Sequence, residues 1–428
     1  MSKIYDKIRV VVIVNYNNLI NDNEMYLYKI EGFSSIRIKL NFKVENNLKN
    51  FIGLKLLSSY IFENNKVYNT VPKIQTRIKE LYNFFIGSGS YTFGKYLMFE
   101  VNIHFLNKYV LNDEYYLDLM TFINDMLFKV KYNKKSLKDI KNRELNYIKS
   151  YLKNENNIMY LEYLKYNFKD TSDYNYSLNN KDEIIKIINE YSFDDLKELH
   201  DKIFKNFYKG LIMGNVSDED YKLFRKFLSF KSNIKKLDYI DDEKLMKKNK
   251  DYEIVSDKTN LSRIYITYRF KKRDIALLDF INNIMNSSHG PLFSILRSKY
   301  GLVYSFGFSY KYYKRRILIS AQIDKNNKDK FISGVEEAFN LMKNKTYVKK
   351  LLNEDKQAYK DDLYTLEENM NRMFKMSFEH IMKPYENYDQ LEFLNNLDKY
   401  DEEDIINYFN TFERTNIFFY KGVMKDEW

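Results

Sequence analysis

Ile36-Arg37-Ile38-Lys39-Leu40-Asn41-Phe42-Lys43-Val44 alternates apolar and polar residues with a period of two, the pattern of a half-buried β-strand. Residues 48–62 follow, in which Phe51, Leu54, Leu57 and Ile61 return at helical spacing and make an apolar stripe. The same pair of elements occurs again more than two hundred residues later. Arg263-Ile264-Tyr265-Ile266-Thr267-Tyr268-Arg269-Phe270 alternates likewise, and residues 276–285 supply the helix after it. A repeat of this length decides the architecture, because each copy is one folding unit.

The two halves continue in step. A short helix is expected over residues 72–84 in the first half and 291–299 in the second, each leading to a glycine-containing turn and two strands. Those strands are residues 90–92 and 97–105 in one half, 302–310 and 316–323 in the other, and long helices follow at 112–128 and 326–343. Tyr191-Ser192-Phe193-Asp194-Asp195-Leu196 and Lys399-Tyr400-Asp401-Glu402-Glu403-Asp404-Ile405 each open a helix, since acidic residues in a first turn complement the helix dipole. Each helix leads to a last strand ending in glycine, Gly214 or Gly422, and these lie 208 residues apart in a chain of 428.

This order of elements predicts an α+β fold of two similar domains, each a mostly antiparallel sheet with helices packed on one face. The first domain takes residues 1–234. Residues 235–251, dense in Lys and Asp with scattered apolar positions, read as a linker. The second takes residues 252–428.

Composition narrows the function. With 44% apolar, 30% charged and 17% aromatic residues, and only 12 Gly and 3 Pro, the chain reads as globular with substantial cores. The net charge of +11 points weakly to nucleic acid, but 70 basic residues are interleaved with 59 acidic ones and no block of one sign stands apart. No nucleic-acid partner is expected on that ground. No stretch approaches the length of a membrane span, and the apolar run at residues 10–14 is too short for a signal segment and reads as a strand. A cytoplasmic address and no membrane partner are the expectations.

There are no cysteines, which excludes disulfides, thiolate zinc sites and cysteine nucleophiles. The four histidines, His104, His200, His289 and His380, are separated by 96, 89 and 91 residues, so no two share a helix face. An inverted zincin needs two His four residues apart on one helix with a Glu beside the second. No H-x-x-E-H motif exists here, and no metal site is assigned to this chain. His289, in Ser287-Ser288-His289-Gly290-Pro291, reads first as part of a helix start: Pro291 suits the first helical position, and Ser288, His289 or Gly290 can cap it. As a loop residue it is also a candidate for substrate contact.

Pro291-Leu292-Phe293-Ser294-Ile295-Leu296-Arg297-Ser298-Lys299-Tyr300-Gly301-Leu302-Val303-Tyr304 is the most informative segment for function. Gly301 offers the left-handed conformation of a helix C-cap. Arg297 falls in the last helical turn and Tyr304 early in the strand expected after it, so a helix–turn–strand can aim both side chains at one point. The segment resembles the second-half Arg and Tyr segment of insulinase/pitrilysin-type zinc peptidases. That resemblance implies a duplicated insulinase-like α/β roll. It also implies that Arg297 and Tyr304 point at the zinc of another half, where they hold the scissile carbonyl as charge develops on its oxygen. A Tyr donor and an Arg cation suit that task.

The resemblance sets the zinc motif's counterpart on the first helix, at Leu56-Leu57-Ser58-Ser59-Tyr60. Leu56, Ser59 and Tyr60 then stand where two His and a Glu would be, and none of the three can bind zinc strongly or activate water. The third ligand's position is Tyr147, with Glu144 one turn away and the register open. Some members of the family divide the work between two chains, one carrying zinc and the other Arg and Tyr, and this sequence is similar to the second kind. The implied partners are a zinc-binding H-x-x-E-H subunit and a peptide substrate. No cofactor is expected on this chain, and zinc is expected on the partner. A degenerate peptide-binding or scaffold protein with no role in cleavage is the alternative reading.

Overall fold

The structure, a computed structural model, describes residues 19–169, 171–232, 234, 237, 250–364, 369–382 and 400–423. These fall into two compact units, one containing the described residues from 19 to 237 and the other those from 250 to 423. The apolar run at residues 10–14 lies outside the described residues, as does most of the 235–251 segment read as a linker.

The first unit holds a six-stranded sheet of β1 (Ile20–Asp22), β2 (Met25–Lys29), β3 (Ser35–Val44), β4 (Phe85–Phe93), β5 (Tyr96–Leu106) and β6 (Phe207–Gly214), in the order β1-β2-β6-β3-β5-β4. The second holds β7 (Tyr252–Ser256), β8 (Ser262–Arg269), β9 (Phe306–Lys311), β10 (Arg316–Ile323) and β11 (Glu413–Gly422), in the order β7-β11-β8-β10-β9. Without β1 the two paths are the same. Each sheet is antiparallel except for one pair, β2 with β6 and β7 with β11. The fold is therefore mixed α and β, duplicated, with two mostly antiparallel sheets.

The alternation in β3 places its side chains as expected. Ile36, Ile38, Leu40 and Phe42 are buried, while Arg37, Lys39 and Lys43 remain half-buried on the other face. Asn41 breaks the pattern by being buried, with its side-chain oxygen accepting from the Tyr91 hydroxyl at 2.9 Å. Helix Leu48–Tyr60 starts at Asn47, whose side-chain oxygen accepts from the Asn50 N–H at 2.8 Å. That helix is buried around more of its girth than one stripe requires, at Ile52, Leu54, Leu56, Leu57 and Tyr60. The reason is its surroundings: β4 and helices Lys134–Tyr151, Lys181–Glu190 and Phe193–Phe204 all pack on it, and a helix enclosed on several sides is apolar on several sides. Aromatic residues fill the space below the sheet. The Phe42 ring meets Phe204, Phe207 and Phe230 at centroid distances of 5.0, 5.7 and 5.1 Å, and each fully buried Phe contributes about 2–3 kcal/mol.

Strands β1, β2 and β7 carry no alternation long enough to read in the sequence, and β4 is longer than residues 90–92. Its Gly87-Ser88-Gly89-Ser90 portion has no apolar rhythm; pairing with β5 alone makes it a strand.

The acidic helix starts are capping boxes in both units. The Ser192 hydroxyl accepts from the Asp195 N–H at 3.0 Å while the Asp195 carboxylate accepts from the Ser192 N–H at 2.8 Å. Asp401 and Asp404 do the same at 2.9 and 3.1 Å. The motif thus does more than complement the dipole, because it satisfies N–H groups that the first turn leaves bare. Ser192→Ala is expected to lower stability by about 1 kcal/mol. A urea midpoint equal to that of the parent protein would show that the cap is not used.

His200 lies buried in helix Phe193–Phe204, its Nε2–H donating to the Leu127 carbonyl at 2.8 Å. Burial holds its pKa below the ordinary 6.5, against the opposing pull of Leu127 and Asp201. The unfolded chain therefore binds a proton at a pH where the folded chain does not. That part of the stability is present above the unfolded value and is lost as pH falls below it through the folded value. Lowering pH from 7.5 to 5.5 is expected to reduce the urea midpoint of the parent more than that of His200→Gln. Equal losses would contradict the buried neutral imidazole.

Candidate functional site

The second unit builds its candidate site from a single turn of chain between helix Ile275–Asn286 and β9. Gly290 opens it: the Ser294 N–H donates to the Gly290 carbonyl at 3.0 Å, so Gly290 takes the cap position and Pro291 the first helical one. A side chain at Gly290 has no room, since a Cβ there would sit 2.0 Å from the Ile284 carbonyl oxygen. His289 is exposed just ahead of this cap, and its carbonyl accepts from the Ser294 hydroxyl at 3.4 Å.

The helix itself departs from expectation. Residues Phe293–Lys299 form a π-helix, not an α-helix. The Tyr300 N–H reaches back to the Ile295 carbonyl at 3.0 Å and the Leu302 N–H to the Leu296 carbonyl at 2.8 Å. Such wide turns are uncommon because their hydrogen bonds and axial packing are poorer. Here the tertiary structure holds the turn in place. Leu292, Ile295 and Leu296 are buried, and helix Lys328–Leu341 lies against it. Glu337 of that helix accepts from the Tyr300 hydroxyl at 2.8 Å and pairs with Lys299 at 2.7 Å. Gly301 ends the turn with a φ of +60°, as its place in the sequence suggests, a conformation that glycine adopts without strain.

Tyr304 is not in a strand. β9 begins only at Phe306, and residues 302–305 run as irregular chain anchored by the buried Leu302 and Val303. The physical reason is that Leu302 and Val303 are adjacent and both turn inward, which a pleated strand with one buried face cannot do. The consequence is exposure: Tyr304 is 85% accessible, the highest value among the exposed large apolar residues described. Its ring centroid lies 5.3 Å from the Arg297 guanidinium carbon, and the Phe293 ring lies 5.2 Å from the same atom. The turn therefore brings Arg297 and Tyr304 together at the surface, with the guanidinium near the Tyr304 and Phe293 rings. Phe293 was not singled out by sequence, although its place four residues before Arg297 is a spacing at which helical neighbours meet. Two exposed hydrogen-bond donors, one cationic, are suited to an oxygen atom that carries negative charge.

The positions assigned to a degenerate zinc motif differ in burial. Leu56 is core. Tyr60 is core as well. Its oxygen accepts from the Asn133 N–H at 2.7 Å and donates to the Lys131 carbonyl at 3.1 Å, which ties it to the start of helix Lys134–Tyr151. Burial raises its pKa. Ser59 is exposed. Tyr147 is exposed on helix Lys134–Tyr151, its ring 5.9 Å from that of Tyr151. Glu144, the alternative to Tyr147, lies 3.8 Å from the Lys55 ammonium. Among the described residues no group of three His, Asp or Glu could hold a metal ion, and no helix is long and apolar enough to cross a membrane.

Residues 190–359 match the family model for the peptidase M16 inactive domain. No curated protein sequence matches the chain. Among solved structures, a conserved protein from Enterococcus faecalis V583 is similar with a TM-score of 0.78 and 16% identity, over 96% of this chain and 100% of that one. A peptidase M16 inactive domain from Pseudomonas fluorescens follows at 0.71 and 15%, over 95% and 98%. The periplasmic protease PqqL from Escherichia coli gives 0.67 and 13%, with 94% of this chain matched to 45% of PqqL. At such identities the structures speak for the fold, and the family model speaks for residues 190–359. Residues 190–359 are thus similar to the peptidase M16 inactive domain, and nearly the whole chain shares the fold of solved structures that include such a domain.

Proposed function

We propose that this chain is the noncatalytic subunit of a heterodimeric zinc peptidase that processes or degrades peptides. In this reading a partner subunit carries zinc on H-x-x-E-H, and this chain lends it Arg297 and Tyr304. The chain binds no cofactor of its own. The observation that carries the reading is the exposed pairing of Arg297 with Tyr304, 5.3 Å apart on a turn whose two ends are built with unusual constraint. A cation and a phenol placed outside the core, where burial would have been the default for an aromatic residue, are free to serve a reaction centre on another molecule. The tyrosine hydroxyl would donate to the developing oxyanion and the guanidinium would offset its charge. His289, exposed eight residues before Arg297, is the nearest candidate for contact with the bound peptide.

Substrate would be an extended peptide added as a strand to a sheet edge. Each sheet has two edge strands, β1 and β4 in one unit, β7 and β9 in the other, and main-chain pairing gives affinity with little demand on side chains. Neither nucleic acid nor membrane enters this reading, and its setting is the cytoplasm.

Reconstitution tests the proposal. The purified chain alone should show no metal-dependent cleavage, and adding it to an H-x-x-E-H subunit of similar length should raise that subunit's activity. A partner whose rate does not change on addition would end the assignment and leave the peptide-binding scaffold.

A further inference from the structure

The edge of β9 nearest to Arg297 and Tyr304 is not open along its length. Asn286, the last residue of helix Ile275–Asn286, lays its carboxamide against Phe308 in the middle of the strand. The Phe308 N–H donates to Asn286 Oδ1 at 3.1 Å, and Asn286 Nδ2 donates to the Phe308 carbonyl at 2.8 Å. The same Nδ2 is steadied by the Asn282 carbonyl at 2.8 Å. A carboxamide that both accepts from and donates to one residue's backbone copies the pair of bonds that a neighbouring strand would make. The amide therefore takes the two main-chain bonds that an added strand would make at Phe308.

Alternation extends the consequence. In an antiparallel ladder every second residue turns its N–H and C=O to the same side. Phe306 and Tyr310 therefore face outward with Phe308, while Gly307 and Ser309 face β10. With the central pair taken, an incoming strand can engage Phe306 but cannot run past it. In the first unit the corresponding helix meets its edge strand differently. The Ser88 hydroxyl donates to the Ser58 carbonyl at 3.4 Å, a bond that uses a side chain of β4 and not its backbone.

We propose that Asn286 is a specificity-determining plug of the β9 edge. It ends strand addition at Phe306, two residues from Tyr304, and so confines an extended peptide on this edge to the short stretch beside the Arg297–Tyr304 pair. This rests on the reading that the chain binds extended peptides, and it assigns to Asn286 the limit of their register.

The test uses the full chain and a ten-residue peptide of alternating Thr and Val carrying a benzophenone, at sub-saturating concentration. Cross-links to residues 304–311 are counted by mass spectrometry. In Asn286→Ala the yield at these residues should rise about tenfold, since Phe308 then offers two hydrogen bonds to the peptide. The same peptide with alternate amides methylated should show no rise, because it cannot pair as a strand. Asn286→Ser, whose side chain is too short to bridge, serves should the alanine variant not fold. An unchanged yield, or a rise confined to residues elsewhere, would overturn the plug. Partner stimulation by the parent chain is read separately, so a failed plug leaves the subunit assignment standing.

Discussion

Tyr304→Phe should abolish most of any stimulation by this chain of the zinc-bearing subunit proposed as its partner, lowering kcat of the reconstituted pair by about 10²–10³-fold with little change in KM. The substitution deletes one oxygen from a side chain that is 85% exposed and supports no core packing, so the fold should be unaffected and the thermal midpoint unchanged. The split between kcat and KM is the informative part. A hydroxyl that meets the substrate only as charge develops acts on the rate, whereas one that merely helps to bind peptide raises KM. Arg297→Ala should produce a loss of similar size and also withdraw the cation from the Tyr304 ring, 5.3 Å away. Because the two groups would serve one oxygen, the double variant should lose less than the product of the single losses. Activity unchanged in both single variants would remove the chemical role from this turn.

The second large effect is structural. Gly290→Ala should destabilise the protein by about 2–3 kcal/mol, read as a lower urea midpoint. The added methyl would stand 2.0 Å from the Ile284 carbonyl oxygen and 2.8 Å from the Ser287 hydroxyl oxygen. The nearer of these is backbone, held at the end of helix Ile275–Asn286, where the Ser287 N–H and hydroxyl both donate to it. It cannot swing aside as a side chain would. Relief must come from moving the helix that begins at Pro291, and Arg297 travels with it. The variant should therefore also lose partner stimulation at temperatures where it is still folded. Gly301→Ala, placed where φ is +60° but nothing lies within 4 Å, is the useful contrast. It should be milder, about 1 kcal/mol, the strain of a left-handed residue without a clash. Equal midpoints for Gly290→Ala and the parent would mean that the close approach is absent in solution.

The candidate site was legible in its parts and not in its shape. Gly301 as a helix terminator, Pro291 as a first helical residue and the closeness of Arg297 to Tyr304 all follow from local chemistry that a few neighbouring residues decide. Reading Tyr304 as a strand residue failed because Leu302-Val303-Tyr304 is apolar and β-prone, yet both Leu302 and Val303 turn inward. The π-turn was equally hidden: Phe293 to Lys299 has ordinary helical composition, and only the packing of Leu296 and the hold of Glu337 on Tyr300 widen it. Asn286 was hidden for a third reason. Its partner Phe308 lies 22 residues away, and an asparagine at a helix end is usually explained by the helix alone.

By itself the sequence determined the duplication, the alternating strands β3 and β8 with their following helices, and the lack of paired histidines. These depend on periodicity and residue type, which burial of one face imposes directly on the chain. The tertiary structure alone decided that Leu56 and Tyr60 are core, that Ser59 and Tyr147 are outside, and that β4 and β9 are each at one edge of a sheet. It also decided which of those edges an amide side chain occupies. Such outcomes are set by contacts between residues far apart in the chain, and no local pattern records which distant partner will arrive.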